Sequence, residues 1–394
     1  MRSSQLDSSD ERRGGVRIPR LSLVTDDLGS GPEGTVTRNA AVGFSRLGRS
    51  CEVVLLDGSS EDTDVEFATA TVRLGLGSGV GHRPAAVRAL TKHLRVSRPD
   101  GVVAYPAGLI PVCALAAHRA RVPLVAWEGN FVTGLAAELR LHQRLLPLTQ
   151  RIAYRHIHAA AAKAPAIAAD LRQRLPRRVE VAYVPNSVDP EALRLSARVA
   201  GVERRGFTLC SLGLLNSRKG FDLLLDALLR VAPRLPDDWR LVAIGDHPRP
   251  HGSAQRRAAR RIESLRDRSE LRDRVETPGH LTNPFGALAS ADLFVHAARF
   301  DPCPNAVLEA MALERPIVAT DSPGATADLL DGGRAGVLCP PEDPVALGEA
   351  IVSLAGDGAA RRRLGEAAAA RALTFTPERS AGGLADLLAE SGDR

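Results

Sequence analysis

Short apolar runs alternate with segments of helical periodicity along the chain from residue 20 onward. The first run, LSLVT, follows Arg20 and leads into a turn-rich stretch that ends at Gly34. Apolar residues then recur at helical spacing from Thr35 to Leu47, and a second apolar run covers Cys51–Leu56. This order of strand, helix and strand predicts a βαβ unit.

The same alternation continues in both halves of the chain. The predicted strands are Gly101–Ala104, Pro123–Ala126 and Val179–Val184, and then Phe207–Leu212, Arg240–Ile244, Val275–Thr277, Leu293–His296 and Ile317–Ala319. The predicted helices of the second half are Phe221–Val231, Arg256–Leu271, Pro284–Ser290 and Pro304–Leu313. Continuous apolar strands separated by helices are typical of parallel sheets covered on both faces. The predicted fold class is therefore α/β, with two Rossmann-like domains facing across a cleft.

The expected domain boundaries follow from this alternation. We expect a disordered leader at residues 1–15, a first domain at 16–190, a linker at 191–205 and a second domain at 206–372. Residues 373–394 carry Leu384, Leu387 and Leu388 at helical spacing, which predicts a C-terminal helix.

Composition narrows the class of protein. The 394 residues are 44% hydrophobic and 25% charged, with a net charge of +6, as in soluble globular proteins rather than disordered chains or collagen. That length exceeds what a single core usually serves. The five cysteines stand apart, without the spacing of a zinc site or a disulfide scaffold, which favours a reducing cytoplasm. The longest uncharged stretch, residues 101–117, is too short to span a membrane comfortably and contains two prolines.

A loop that contains one of the few lysines is the first candidate for chemistry. Only three of the 52 basic residues are lysines, namely Lys92, Lys163 and Lys219. Lys219 and Arg218 lie between Gly213 and Gly220, where a predicted strand leads into a helix. Such a loop offers backbone N–H groups and positive charge to phosphates. A basic turn whose glycines serve only its conformation is an equally open alternative.

Two carboxylates mark the second candidate region. Asp301 lies in the loop after the strand that ends at His296, Pro304 begins a helix, and Glu309 follows about one turn later. The carboxylates could bind hydroxyls of a sugar and a ribose at the two ends of a diphosphate. The alternative, which the pattern alone favours, is that Glu309 is a solvated surface residue and Asp301 an aspartate near the N-terminus of the helix. Ligands of open α/β sheets bind beyond the carboxyl ends of strands, so this loop, the Lys219 loop and the turn at residues 320–324 should converge.

A strongly basic stretch covers residues 140–178, with nine basic side chains against one acid, Asp170. Interleaved apolar residues suggest a basic amphipathic helix that touches an anionic membrane or a lipid diphosphate. A solvated, arginine-rich face is the alternative. We expect no nucleic-acid partner, because neither aromatic interleaving nor a recognised motif accompanies the charge.

Together these segments resemble the retaining glycosyltransferases of the GT-B fold, specifically glycosyltransferase family four, from about Pro19 to Phe375. The family loop GRLxxxKGxDxLLxA is matched by GLLNSRKGFDLLLDA from Gly213, and EGxPNxLLEAMAxGxPVVATDxGG by DPCPNAVLEAMALERPIVATDSPG from Asp301. The family segment IPNGVD corresponds to VPNSVD at residues 184–189, and its N-terminal Gly-rich loop corresponds to residues 31–34.

The resemblance assigns roles to individual residues. Lys219 would neutralise the donor diphosphate, Glu309 would bind the nucleotide ribose, and Asp301 would contact the donor sugar. The implied donor-binding residues are Gly34, Gly213, Arg218, Lys219, His280, Leu281, Pro304, Asn305, Ala306, Val307 and Glu309, and the implied catalytic residues are Asp301, Lys219 and Glu128.

Five residues bear on these roles. Glu128 and Asn130 follow a strand where many relatives carry His or Glu-His-Asn near the reacting sugar; a loop Glu paired with an arginine is the alternative. Leu214 stands where the family has a phosphate-binding Arg, so that either Arg218 substitutes for it or the phosphate site is weakened. Asp301-Pro302 replaces the family's Glu-Gly.

The implied reaction moves a sugar from a UDP or GDP sugar to a glycan, glycolipid or small molecule by front-face substitution. The resemblance implies no further cofactor and no metal, and a C-terminal helix that packs back on the first domain. The expected location is the cytoplasm, with peripheral contact at the inner membrane face as a further hypothesis. A nucleotide-sugar epimerase of the same fold and a catalytically weak nucleotide-sugar-binding protein are the alternatives.

Overall fold

A computed structural model describes most of the chain, with side chains. The described residues are 12–13, 16–17, 20–26, 28–29, 31–56, 68–76, 83–129, 152–200, 206–247 and 252–389. The predicted leader at residues 1–15 lies outside them, apart from residues 12 and 13, and so do Asn130 and residues 140–151.

The first half is built on a seven-stranded parallel sheet in the order β5-β4-β3-β6-β7-β8-β9. Its strands are β3 (Arg20–Thr25), β4 (Ser50–Leu55), β5 (Ala70–Arg73), β6 (Gly101–Ala104), β7 (Leu124–Glu128), β8 (Ala159–Ala162) and β9 (Glu180–Tyr183); the short strands β1 (Arg12–Arg13) and β2 (Val16–Arg17) pair separately. Strands β6, β7 and β8 are buried along their whole length, which explains their continuous apolar runs.

Within the described ranges, four helices accompany this sheet: α1 (Pro32–Arg46), α2 (Arg83–Ser97), α3 (Ile110–Ala120) and α4 (Pro165–Arg174). A proline occupies the first helical turn in α1, α3 and α4, where the absent N–H costs no helical hydrogen bond. Helix α1 begins at Pro32, three residues before the predicted start, so residues 32–34 belong to its first turn rather than to a loop.

The second half is built on a six-stranded parallel sheet in the order β12-β11-β10-β13-β14-β15. Its strands are β10 (Thr208–Leu212), β11 (Arg240–Ile244), β12 (Val275–Gly279), β13 (Leu293–His296), β14 (Ile317–Thr320) and β15 (Val337–Cys339). Its helices are α6 (Phe221–Val231), α7 (Gly252–Arg266), α8 (Phe285–Ser290), α9 (Asn305–Ala312), α10 (Thr326–Leu329), α11 (Pro344–Gly356) and α12 (Gly358–Ala372). Short 3₁₀ helices lie at Ala107–Leu109 in the first half and at Ala232–Arg234 and Asp331–Gly333 in the second.

Two more helices connect the halves. Helix α5 (Pro190–Ala200) occupies most of the predicted linker and packs against α8 and α9 of the second half. Helix α13 (Pro377–Ala389) follows the second half and packs on α1 and on strands β7, β8 and β9 of the first. The approach of α13 is close, since a Cβ on Gly43 of α1 would lie 2.1 Å from the carbonyl oxygen of Pro377.

The predicted class, two Rossmann-like parallel sheets with helices, is confirmed. The interpretation of residues 140–178 as a basic amphipathic helix is wrong for the described part. Ala159–Ala162 forms the buried strand β8, and Lys163, which belonged to the supposed basic face, is buried. Alanine favours helices by intrinsic propensity, but burial between two neighbouring strands overrides that preference here.

Candidate active site between the two sheets

Three loops meet at the carboxyl ends of β10, β13 and β14, which are neighbours in the second sheet. They comprise residues 213–220, 297–304 and 321–325. Two glycines allow the close approach. A Cβ on Gly220 (φ +69°) would lie 1.7 Å from the carbonyl oxygen of Ala297, and a Cβ on Gly324 (φ +151°) would lie 2.0 Å from that of Asp301. The expected convergence of the three loops is therefore present in the structure.

Lys219, Asp301 and His296 form a charged cluster at this point. The Lys219 ammonium donates a hydrogen bond to Oδ2 of Asp301, and Nε2 of His296 lies 3.5 Å from the same oxygen. Asp301 and His296 are buried, whereas about a fifth of the Lys219 side chain is exposed. Burial lowers the pKa of His296 to about 4, so this imidazole is neutral at pH 7. Lys219 therefore supplies a positive charge at the edge of the cleft, held by a carboxylate.

Arg299 fixes the loop that carries Lys219, a role that the sequence pattern did not indicate. Its guanidinium donates to both carboxylate oxygens of Asp222, at 2.7 and 3.0 Å, and to the carbonyl oxygen of Ser217 at 2.6 Å. The N–H of Arg299 also donates to the carbonyl of Arg218. The side chain of Arg218 is exposed, as is that of Leu214. Arg218 therefore provides exposed positive charge beside the anchored Lys219.

Helix α9 begins beside this cluster and presents its N-terminus to the cleft region. The N–H of Val307 donates to the carbonyl of Pro304, and proline has no N–H, so Asn305 and Ala306 hold the first-turn donors without an intrahelical partner. Glu309 lies one turn into the helix and is partly exposed. Burial of the carboxyl group raises the pKa of Glu309 to about 7. The helix start and Glu309 can thus bind an anion and hydroxyl groups, respectively.

Asn186, in the segment VPNSVD, joins the two halves next to α9. Its side-chain amide donates to the carbonyl of Cys303 at 2.9 Å and to Oδ1 of Asn305 at 2.7 Å. The Asn305 amide in turn donates to the carbonyl of Pro32 at 3.4 Å. These bonds place the start of α1, with Gly34, opposite the start of α9.

The predicted base-framing residues lie at the end of β12. The N–H of His280 donates to Oδ1 of Asp246 at 3.1 Å, which connects the ends of β11 and β12. The His280 side chain is exposed and Leu281 is half-buried. In strand order these residues are two strands away from β10, so they flank the Lys219 loop without touching the Asp301 cluster.

Glu128 ends β7 on the first side of the cleft region, but its side chain is only 1% exposed. It accepts a hydrogen bond from the hydroxyl of Tyr154, and burial raises the pKa of Glu128 to about 7. The carboxyl group is thus closed off from solvent, and among the residues that the structure describes no arginine pairs with it, as the alternative interpretation of Glu128 required. Lys163, which follows β8, is the charged residue on this side that the sequence interpretation missed.

Within the described residues, no helix is long and apolar enough to cross a membrane. Nor do three or more His, Cys, Asp or Glu side chains of that part of the chain lie close enough together to hold a metal ion.

Two family models match the two halves. The glycosyl transferase 4-like domain matches residues 31–187, and glycosyl transferases group 1 matches residues 206–357. The second half therefore belongs to the glycosyl transferases group 1, and the first half to the glycosyl transferase 4-like domains. The second match contains the Lys219 loop, Asp301 and Glu309, and the first contains Gly34 and Glu128.

The curated relatives align with the chain over only part of their length. The chain is 32% identical to the lipopolysaccharide core biosynthesis mannosyltransferase LpsB of Rhizobium meliloti over 40% of this chain and 43% of that protein. It is 32% identical to phosphatidyl-myo-inositol mannosyltransferase of Mycobacterium tuberculosis over 46% of each chain. It is 29% identical to alpha-D-kanosaminyltransferase of Streptomyces kanamyceticus over 46% of this chain and 45% of that protein. The matched region thus spans less than half the length of these relatives.

Solved structures agree with the fold over nearly the whole chain. HepE of Anabaena, in complex with UDP, superposes with a TM-score of 0.72 over 95% of this chain and all of that one, at 19% identity. Sucrose-phosphate synthase of Thermosynechococcus elongatus superposes with a TM-score of 0.76 over 94% of this chain and 98% of that one, at 18% identity. The chain therefore has the GT-B fold.

Proposed function

We propose that this protein is a retaining glycosyltransferase that uses a nucleoside diphosphate sugar, with UDP or GDP as the nucleotide. The observation that carries the proposal is the meeting of Lys219, Asp301 and the start of α9 at one sheet edge, opposite the start of α1. Relatives named as mannosyltransferases and a structural neighbour solved with UDP support it.

The donor would lie along the second half. Lys219 and Arg218 would bind the diphosphate together with the N–H groups of Asn305 and Ala306. Glu309 would accept hydrogen bonds from the ribose, and His280 and Leu281 would frame the base. Asp301 would contact the donor sugar, and Gly34 would contact the donor at the start of α1, where the lack of a side chain lets the helix lie close to the carbonyl of Gly29.

The proposed chemistry needs mainly electrostatic help from the protein. The bond between the anomeric carbon and the phosphate oxygen breaks, and the acceptor oxygen bonds to the same face, so the configuration is kept. The leaving phosphate takes the acceptor proton. Lys219, Arg218 and the α9 N–H groups stabilise the charge that grows on the diphosphate.

The acceptor would bind on the side of the first half, where Glu128 ends β7. A glycan, a lipid-linked sugar or a small molecule would fit this proposal. Peripheral membrane contact through residues 140–178 is a separate proposal, in which Arg172, Arg174 and Arg178 would have to exchange their hydrogen bonds within the chain for lipid headgroups. Flotation with anionic and neutral vesicles tests it, and equal behaviour with both would overturn it.

A two-stage experiment tests the proposed function. Thermal unfolding with UDP, GDP and other nucleoside diphosphates first identifies the base, and NMR of the product from the matching α-linked donor then reports the anomeric configuration. We expect stabilisation by UDP or GDP and an α-linked product. A β-linked product contradicts retention, conversion of the donor without an acceptor indicates an epimerase, and binding without turnover indicates a binding protein.

A further inference from the structure

Lys163 lies in an aromatic enclosure at the carboxyl edge of the first sheet. It directly follows the buried strand β8, and only 2% of the residue is exposed. Its ammonium nitrogen is 3.5 Å from the centre of the Tyr105 ring and 4.5 Å from that of Trp127. These residues belong to the ends of β6 and β7, so three adjacent strands meet around one buried cation.

The ammonium has no hydrogen-bond acceptor among the residues that the structure describes. The ionisable groups around it are Glu128 at the end of β7, Glu33 in α1 and Cys303 in the loop after β13. Glu128 instead accepts a bond from Tyr154. Aromatic faces attract a cation but cannot accept its three N–H bonds in good geometry.

Burial lowers the pKa of Lys163 to about 7, against the opposing effect of the three acidic neighbours. A buried ammonium without a hydrogen-bond acceptor is unfavourable, so Lys163 lowers the stability of the fold at this position. Buried ionisable residues that lower the stability of the fold in this way are found preferentially at binding sites.

The position of Lys163 connects it to the cleft. Cys303 is two residues from Asp301, and Glu33 is next to Gly34, so the groups that influence Lys163 belong to both walls of the candidate active site. The neighbouring Gly129 has no side chain, and a Cβ there would lie 3.4 Å from Cδ of Lys163. The enclosure therefore lies at the meeting point of the two halves, on the acceptor side.

We infer that Lys163 binds an oxyanion, a carboxylate or phosphate, that is carried by the sugar of the donor or by the acceptor. This inference rests on the proposed function and makes it more specific: the substrate is an acidic or phosphorylated sugar or acceptor. The oxyanion supplies the missing acceptors for the ammonium and favours its charged form. Binding is accordingly coupled to proton uptake above pH 7 and weakens as the pH rises from 6 to 9.

The test compares the wild-type protein with Lys163→Met, which keeps the length of the side chain and removes the charge. Lys92→Met, a change of an exposed lysine on α2, is the control. Calorimetry measures binding of UDP-glucose and UDP-glucuronate, or of the matching GDP sugars, at pH 6 and pH 9. A second titration adds inorganic phosphate to protein already saturated with the nucleotide, which occupies the Lys219 site.

The inference is supported, with the oxyanion carried by the donor sugar, if the wild-type protein binds UDP-glucuronate roughly ten- to a hundredfold more tightly than UDP-glucose at pH 6. This preference should be lost at pH 9 and in Lys163→Met. Phosphate binding to the nucleotide-saturated protein, lost in Lys163→Met but not in Lys92→Met, supports it with the acceptor as the source. If the wild-type protein shows neither effect, or Lys163→Met retains it, the inference is overturned.

The proposed function is judged separately by the nucleotide itself. UDP or GDP binding should be unchanged in Lys163→Met, which also shows that this variant folds. If no nucleotide binds the wild-type protein, the proposed donor site fails, while the phosphate titration on the free protein still decides the role of Lys163. Should Lys163→Met not fold, the pH dependence of the wild-type preference gives the decision.

Discussion

Gly220 lies directly against the main chain of Ala297, so that a Cβ on Gly220 would come within 1.7 Å of the Ala297 carbonyl oxygen. The residue also has a φ of +69°, which side chains other than glycine adopt at a cost. This contact sets the distance between the Lys219 loop and the loop that leads to Asp301. The carbonyl of Arg218 accepts bonds from Arg299 and Phe300 in the same region.

Gly220→Ala should therefore lower the free energy of unfolding by about 2 kcal/mol or more, since the backbone of both loops must move. Nucleotide affinity should fall as well, because Lys219 is the preceding residue. Urea unfolding measures the first effect. Gly382→Ala in α13 is the matched control: a Cβ there meets nothing within 4 Å, and the free energy should stay equal or rise. Equal stability of both variants would contradict this account of the loop contact.

Glu309 should make nucleotide affinity depend on pH. Burial raises its pKa from an ordinary value of 4.5 to about 7, and ribose hydroxyls donate to the ionised form. UDP or GDP affinity should therefore increase as the pH rises from 5.5 to 8. Glu309→Gln should weaken binding roughly tenfold at pH 8 and flatten this dependence. Calorimetry across the pH range provides the check, with Glu366→Gln on α12 as an exposed control; an unchanged profile in Glu309→Gln would remove Glu309 from the site.

His296 should make the fold sensitive to acid. Its pKa is lowered by burial from 6.5 to about 4, with Asp301 opposing and Lys219 adding to this shift. The unfolded state therefore binds more protons between pH 6.5 and 4, so the free energy of unfolding falls as the pH decreases through that window. His296→Leu should reduce the fall by up to about 3 kcal/mol relative to the wild type. Urea titrations at pH 7 and 4.5 test this, and the exposed His247→Leu should behave as the wild type does.

Chelation of metal ions should leave the activity unchanged. In the proposed reaction the charge on the leaving diphosphate is stabilised by Lys219, Arg218 and the N–H groups at the start of α9. Initial rates of sugar transfer in the presence of EDTA, compared with rates after addition of Mg²⁺ or Mn²⁺, provide the measurement. A rate that vanishes with EDTA and returns with a divalent ion would contradict this division of roles.

Local patterns predicted much of the fold because the strands of parallel sheets are continuous and apolar. Arg240–Ile244 and Leu293–His296 occur in the structure as predicted. The four alanines of β8 were not recognised, since short apolar side chains carry no strand signal until neighbouring strands bury them. The helices α11 and α12 were also missed; caps by Asp343 and Asp357, each bonding to N–H groups in the first turn, were available signals.

The candidate site was only partly predictable for a related reason. Lys219, Asp301 and Glu309 lie in loops and helix starts whose positions follow from the strand order. Lys163 looked like one of nine basic residues on a surface stretch, and nothing in its neighbours along the chain reveals that Tyr105 and Trp127 enclose it. The bonds of Asn186 to Cys303 and Asn305 join residues more than a hundred positions apart. Such contacts depend on tertiary packing, which periodicity does not record.

The most direct test of the account is the affinity of Lys219→Ala for the preferred nucleoside diphosphate. Lys219 supplies the anchored positive charge of the proposed donor site, and its partner Asp301 is buried. Calorimetry should show a loss of roughly ten- to a hundredfold in UDP or GDP affinity for Lys219→Ala, and no change for the exposed Lys92→Ala. Affinity equal to that of the wild type in a folded Lys219→Ala protein would contradict the proposed donor site.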